Sequence, residues 1–272
     1  MKIVAFVDTL GFKQKISTLK HEQAKEVIVK FNSEIYQLWS KLNYNNDHLI
    51  HGQTFSDSLI IYTENDSNAS LKKILDFLNE LYKIAITKVD LPLRGGISIG
   101  EFDRIPASNF DNLQKELVIG SAFIDAYFLE STNKVKGSKI VFRHNIHLTI
   151  EKKLEGFSSK KLRKLENGEY LYELIWGDIE FLSNSNYYAL SKFIELASES
   201  KWLDHYYHTL ETFLINEQQS DKHQMFRKIL EILKQKYKYN VTDDFISNFF
   251  KCEGIYNLKR SFSAYIRDNI NN

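Results

Sequence analysis

The apolar positions of this chain fall into two regimes. Up to about residue 177, short β-prone runs alternate with helical stretches; beyond it the spacing is helical throughout. Ile3–Val7 is a continuous β-prone run closed by Asp8-Thr9-Leu10-Gly11, which predicts a strand buried on both faces at the centre of a sheet. Leu19, Ala24, Val27, Ile28, Phe31, Ile35, Leu38 and Leu42 recur at steps of mostly three and four, predicting a helix over Ser17–Leu42. His48–Thr54 and Leu59–Thr63 flank the polar turn Phe55-Ser56-Asp57-Ser58, a hairpin pattern.

Asn68–Val89 again has helical spacing. Leu93–Phe102 (LRGGISIGEF) reads as a strand whose glycines imply close approach of another backbone or a ligand. Ile105–Lys115 reads as loop, Leu117–Ile119 as a short strand, and Gly120 leads into a helix over Ser121–Ser131. Lys139–Phe142 and Tyr170–Ile175 are further strands. Helices are expected over Asn186–Leu214, Lys222–Lys236, Thr242–Phe249 and Ile255–Ile270. The division is an α+β domain over 1–177 and a helical extension over 178–272, and the hairpin excludes a purely parallel sheet.

Charge changes the picture by exclusion. With 36 Lys+Arg against 35 Asp+Glu the net charge is +1, so no global field concentrates polyanions. Cys252 is the single cysteine, which excludes an intrachain disulfide and zinc sites that need two or more thiolates from one chain, and fits a reducing, cytoplasmic compartment. The run Ile3–Val7 is too short for a signal-peptide core or a membrane span.

The candidate chemistry lies in the first hundred residues. Asp8 ends the buried strand, so its carboxylate emerges at the sheet edge, followed by backbone N–H groups that the Gly11 turn frees for a phosphate. Asp57 sits at the hairpin tip. If the hairpin pairs beside the first strand, the two carboxylates meet, and they repel unless a cation lies between them. Two hard oxygen donors suit Mg²⁺ bound together with a triphosphate.

Order and spacing carry a resemblance. Phe-Val-Asp-Thr-Leu-Gly-Phe at 6–12 resembles the metal-binding strand of class III nucleotidyl cyclases. Phe-Ser-Asp-Ser at 55–58 falls where that family has its second metal aspartate. Residues 93–101 are similar to its Arg-x-Gly-Ile-x-x-Gly strand, and 120–130 to its glycine-led helix ending in Leu-Glu. The FSDS and RGG forms look closest to the bacterial antiphage Pycsar pyrimidine cyclases.

The resemblance implies a ferredoxin-like βαββαβ core, ahead of the helical C-terminal extension read from the spacing, and a head-to-tail homodimer with active sites at the interface. It implies two Mg²⁺ or Mn²⁺ ions on Asp8, Asp57 and the Thr9 carbonyl, and phosphates on the Leu10-Gly11-Phe12 stretch through the Gly11 and Phe12 amides. Arg94 falls on the triphosphate-binding arginine. The implied product is cyclic CMP or cyclic UMP, an alarm signal read by a downstream effector.

One departure concerns the family's helix, which carries Asn and, four residues on, Arg; here these are Ile124 and Phe128. Arg104, Lys134, Lys136 and Lys139 are the basic residues available as substitutes. The purine-reading Lys and Asp of adenylate cyclases fall on Gln53 and Leu117, and a guanylate cyclase's Glu is absent as well; both point to a pyrimidine base, since Gln53 can donate and accept. Three other readings stand beside this one. A dehalogenase-type phosphatase needs a second Asp where Leu10 stands; a nuclease needs more carboxylates, with Asp103 and Asp125 as candidates; an inactive module of the same fold needs neither. The aromatic run Trp202–His208 reads as a packing segment.

Overall fold

Of the 272-residue chain, the computed structural model describes residues 1–42, 49–106, 116–131, 135–237 and 239–269. In chain order the elements of the first part are β1 (Lys2–Thr9), α1 (Phe12–Thr18), α2 (His21–Leu42), β2 (Ile50–Phe55), β3 (Ser58–Thr63), α3 (Asn68–Ile84), β4 (Leu93–Gly100), β5 (Asp103–Pro106), β6 (Glu116–Ile119), α4 (Ser121–Ser131) and β7 (Ile140–Phe142). Next come α5 (His144–Lys153), β8 (Ser159–Lys164) and β9 (Tyr170–Leu174), then α6 (Ile179–Glu199), α7 (Asp204–Leu214), α8 (Gln219–Lys236), α9 (Tyr239–Lys251) and α10 (Tyr256–Asn269).

β1 lies inside a seven-stranded sheet of order β2-β3-β1-β4-β7-β9-β8, and β5 and β6 form a separate pair. All neighbours in the large sheet are antiparallel except β4 and β7. The segment β1-α2-β2-β3-α3-β4 with this strand order is the ferredoxin-like arrangement expected of the α+β core. Asp8 faces Ser58 on one side and Arg94 on the other in this register.

The alternation of β1 decides which helices cover which face. Ile3, Ala5 and Val7 share a core with Phe31, Ile35 and Leu38 of α2 and with Ile74, Phe77 and Leu81 of α3. Val4 points the other way, into a cluster with Ile60, Tyr62, Phe102 and, from α4, Ala122 and Ala126. Of the β4 glycines, Gly95 and Gly100 lie closest to the Tyr82 and Ser121 hydroxyls, and Gly96 to backbone. A Cβ on Gly96 would stand 2.2 Å from the Ala126 carbonyl oxygen, so α4 seats on β4 only because that side chain is missing.

The C-terminal helices join the α2/α3 side in one apolar cluster. Trp176 packs edge-on to Tyr82 at 5.2 Å and to Phe213 of α7 at 4.9 Å. Polar contacts tie α7 and the segment after β9 to the residues before β7: the Ser138 N–H donates to Thr209 Oγ1 at 2.8 Å, and Trp176 Nε1 donates to the Ser138 carbonyl at 2.9 Å. Cys252 is buried, as a small apolar residue.

Several boundaries differ from expectation. The helix from Ser17 is two helices, broken at Leu19–Lys20; α1 buries no residue and so carries no periodic signal. α3 ends in one π-helical turn, Ala85–Val89. The stretch expected as one helix over Asn186–Leu214 is α6, kinked at Asn184–Tyr187, and α7; Lys201 and Trp202 between them have φ of 54° and 52° with no Gly or Pro to announce the break. α5 and β8 were not expected. The expected loop at Ile105–Lys115 begins inside β5, and residues 107–115 lie outside the described residues, as do His48 and Lys134. No described helix is long and apolar enough to cross a membrane.

Candidate active site

Sheet register brings two of the predicted residues, Asp8 and Arg94, to one place. Residues directly opposed on neighbouring strands project to the same face, so Asp8, Ser58 and Arg94 lie side by side at one end of the sheet. Asp57 occupies the two-residue tip of the β2–β3 hairpin, next to Ser56, whose φ of 53° makes the turn. Ser58 Oγ donates to Asp8 Oδ1 at 2.7 Å, and Thr9 Oγ1 donates to Asp57 Oδ2 at 3.1 Å. Each aspartate is therefore held by a hydroxyl from its neighbour's strand.

Electrostatics at this end favour a cation. Burial, joined by the Asp57 charge, raises the Asp8 carboxyl above its ordinary value, against the Ser58 hydrogen bond and the Arg94 charge. Among the described residues no group of three or more His, Cys, Asp and Glu gathers to hold a metal. The donor set is two carboxylates with backbone oxygen beside them, which fits Mg²⁺ or Mn²⁺ completed by a ligand's phosphates and not a closed protein cage. The two further carboxylates named for a nuclease do not join this pair: Asp125 is bound to Arg143 and, at 2.9 Å, to Ser98, and Asp103 lies in the separate β5–β6 sheet.

Arg94 has a partner that the sequence reading did not foresee. Its Nε and Nη2 both donate to Glu130 Oε1, at 2.7 and 2.6 Å, from an acid only 4% exposed. Burial raises the Glu130 carboxyl while the adjacent guanidinium opposes that rise. Glu130 reaches β4 because Gly96 lets α4 descend; the Leu-Glu ending of the helix was the one signal available for it. Asp8 and Arg94 are register partners within one chain, so Asp8→Asn and Arg94→Ala chains are not expected to complement each other.

The other predicted residues are placed as follows. The Leu10 N–H is engaged with the Pro92 carbonyl at 2.7 Å, so it fixes the loop and is not free for a phosphate. Gly11, at φ 78°, turns the chain into α1 with Phe12 as its first residue. Gln53 lies on β2 opposite Ile60, and its Oε1 is buried with no hydrogen-bond partner. Leu117 is 43% exposed on β6, turned away from the sheet, while the adjacent Val118 packs inward. Ile124 and Phe128 are 53% and 62% exposed on α4.

Of the substitute bases, Lys139 is ruled out by burial: it is 1% exposed, bound to Glu173 and, at 2.8 Å, to Thr212 Oγ1. Lys136 is paired with Asp204, and Arg104 lies on β5.

No family model matches the chain, and no curated protein matches it. Solved structures do. The guanylyl cyclase domain of the RhoGC fusion protein from the aquatic fungus Blastocladiella emersonii superposes with a TM-score of 0.51 at 15% identity, covering 64% of this chain and 93% of that one. The guanylate cyclase domain of RhGC from Catenaria anguillulae, solved with GTP, gives 0.49 at 14% identity over 64% and 94%. The adenylyl cyclase CyaB from P. aeruginosa gives 0.45 at 15% over 64% and 92%. The fold is that of a class III cyclase domain with additional C-terminal helices.

Proposed function

We propose that this chain is a nucleotide cyclase that converts CTP or UTP to the 3′,5′-cyclic nucleotide and pyrophosphate, with residues 1–177 as the catalytic part. The observation that carries this reading is the convergence of Asp8, Asp57 and Arg94 at one end of a cyclase-type sheet. Asp8, Asp57 and the Thr9 carbonyl hold two Mg²⁺ or Mn²⁺ ions. When bound, the ions lower the pKa of the ribose 3′-hydroxyl and neutralise charge on the leaving pyrophosphate. Arg94, oriented by Glu130 through Nε and Nη2, keeps its other N–H groups for the triphosphate. The Gly11 and Phe12 amides bind phosphate oxygens.

The pyrimidine choice rests on Gln53. A buried carbonyl oxygen without a partner costs about 1–3 kcal/mol, which a base N–H relieves: the N4 amino group of cytosine or N3–H of uracil. The charged purine readers are missing, and Leu117 occupies one of their positions. In a four-way competition CTP or UTP is expected to be preferred over ATP and GTP by about tenfold or more. Gln53→Ala is expected to erase that preference; a clear preference for ATP, or an unaltered ratio in the variant, counts against it.

The outer face of α4 supports a homodimer. Ile124, Tyr127 and Phe128 there, with Leu117 and Ile119 on β6, are exposed apolar side chains beside the site. Specific activity is expected to rise with concentration near the dimer dissociation constant, and Phe128→Glu to yield an inactive, folded monomer. Full activity from a monomer proven by light scattering contradicts this.

The antiphage role rests on the FSDS and RGG segments alone. Its product acts in the cytoplasm on a cyclic-nucleotide-responsive effector, and phage challenge of cells carrying wild-type or Asp8→Asn protein tests it. The second reading, an inactive nucleotide-binding module, is favoured by Ile124 and Phe128; nucleotide binding without any turnover identifies it.

A further inference from the structure

The tail lies against the same loop that forms the candidate site. A cleft of about 410 Å³ opens between Leu10, Gly11 and Lys15 on one side, Asp90–Pro92 beneath, and His205 and Tyr206 of α7 on the other. His205 belongs to the aromatic run that sequence alone reads as packing. Its placement is tightly determined. Lys136 pairs with Asp204, the Gly137 N–H donates to His205 Nδ1 at 3.1 Å, and the Ser138 hydroxyl donates to the Leu93 carbonyl at 2.7 Å. These bonds fasten the start of α7 to the start of β4, where Arg94 stands.

The bond from Gly137 also fixes the imidazole tautomer. Nδ1 accepts, so in the neutral ring the proton sits on Nε2. Burial first, then the Arg94 and Lys136 charges, push the His205 pKa below its ordinary value, while Asp204 opposes them. The ring is therefore a neutral donor at pH 7. Across the cleft lie the Gly11 turn and Lys15, whose Nζ donates to the Asp90 carbonyl at 2.8 Å. Two carboxylates also line the cleft: Asp90, with Lys192 at 3.7 Å, and Glu199 at its exposed rim.

We propose that this cleft receives the terminal phosphates of the nucleoside triphosphate and that His205 donates its Nε2–H to them, so that the tail completes the active site. This rests on the cyclase reading and extends it to a residue outside the catalytic part. In the reaction, the 3′-oxygen bonds to the α-phosphorus and its proton passes to water. The bond from that phosphorus to the bridging oxygen breaks, and pyrophosphate leaves with the electron pair. His205 holds the departing pyrophosphate and transfers no proton. It is a substrate-contacting donor, and its loss acts on affinity for the leaving group.

Two substitutions separate this role from packing. Asn places its oxygen near Nδ1 and keeps the Gly137 bond but cannot reach the cleft; Gln places its amide nitrogen near Nε2 and keeps the donor. The probe is inorganic pyrophosphate with Mn²⁺, titrated calorimetrically into the full-length protein and used as a product inhibitor. His205→Asn is expected to weaken pyrophosphate about tenfold and to raise KM similarly, whereas His205→Gln stays within about threefold of wild type. Equal affinities in wild type and His205→Asn overturn the inference, as do losses in both variants that only follow their melting temperatures. A wild type that forms cyclic nucleotide but binds pyrophosphate independently of His205 leaves the cyclase reading standing and removes this one. Binding that depends on His205, in a protein that cyclises no nucleotide, supports the cleft and removes the cyclase reading.

Discussion

Asp8→Asn and Asp57→Asn are each expected to lower cyclic-nucleotide formation by about 10³-fold or more. Each change removes a charged oxygen donor from a site with two carboxylates, and no third acidic, His or Cys side chain gathers among the described residues to replace it. About 4 kcal/mol of lost transition-state stabilisation corresponds to that factor. The fold should not suffer. The native state raises the Asp8 pKa, so it holds that proton more tightly than the unfolded chain does. The stability linked to that group is present below its ordinary pKa and is lost as pH rises through the raised value. At neutral pH without divalent ions, Asp8→Asn is therefore expected to melt at or above the wild-type temperature. Mn²⁺ should raise the melting temperature of wild type and of neither variant. Unchanged product formation with unchanged melting removes the metal role from these two residues.

The largest stability effect is expected at a buried ion pair. Lys139 and Glu173 are 1% and 0% exposed, and Thr212 of α7 and Lys160 complete their network. Burial raises the Glu173 pKa, but the Lys139 and Lys160 charges and their hydrogen bonds outweigh it, so the carboxyl ends below its ordinary value. Glu173→Leu leaves Lys139 buried with the Thr212 hydroxyl and the Glu211 charge in place of its ion pair, at a cost of about 3–5 kcal/mol and a melting temperature lower by about 10 °C. Adding Lys139→Met is expected to recover most of the loss, since an apolar pair replaces a stranded charge. The pH dependence has a definite sign. A depressed carboxyl contributes stability that is present above its unfolded pKa and is lost as pH falls through the lowered folded one. Wild type should lose this contribution on acidification and the double variant should not. Thermal unfolding of the four proteins across pH 3–7 reads both effects; a Glu173→Leu protein as stable as wild type contradicts the account.

The legible parts of the chain were those with an uninterrupted period. β1 and β3 could be read because burial on both faces leaves unbroken apolar runs, and their order placed Asp8 and Asp57 in reach of each other. β8 could not, because an edge strand reading Ser-Lys-Lys-Leu-Arg-Lys has no apolar alternation. α5 buries only Ile146 and Ile150, too few to set a helical rhythm. The break between α6 and α7 depends on Trp202 being drawn into the core, which is a tertiary event with no local mark. Within the site, the identity of Arg94 was readable, but its fixed orientation was not, because Glu130 lies 36 residues away and meets it only through the Gly96 contact. His205 was hidden for a similar reason: its aromatic neighbours Tyr206 and Tyr207 are core residues, and only the half-buried ring between helix and cleft differs from them.

The central claim is tested by incubating the purified full-length protein with ATP, GTP, CTP and UTP separately in the presence of Mn²⁺ and identifying the products by mass spectrometry. The account predicts 3′,5′-cyclic CMP or 3′,5′-cyclic UMP with an equivalent of pyrophosphate, and none of either from Asp8→Asn. A folded protein that yields no cyclic nucleotide from any of the four at concentrations where it dimerises contradicts it.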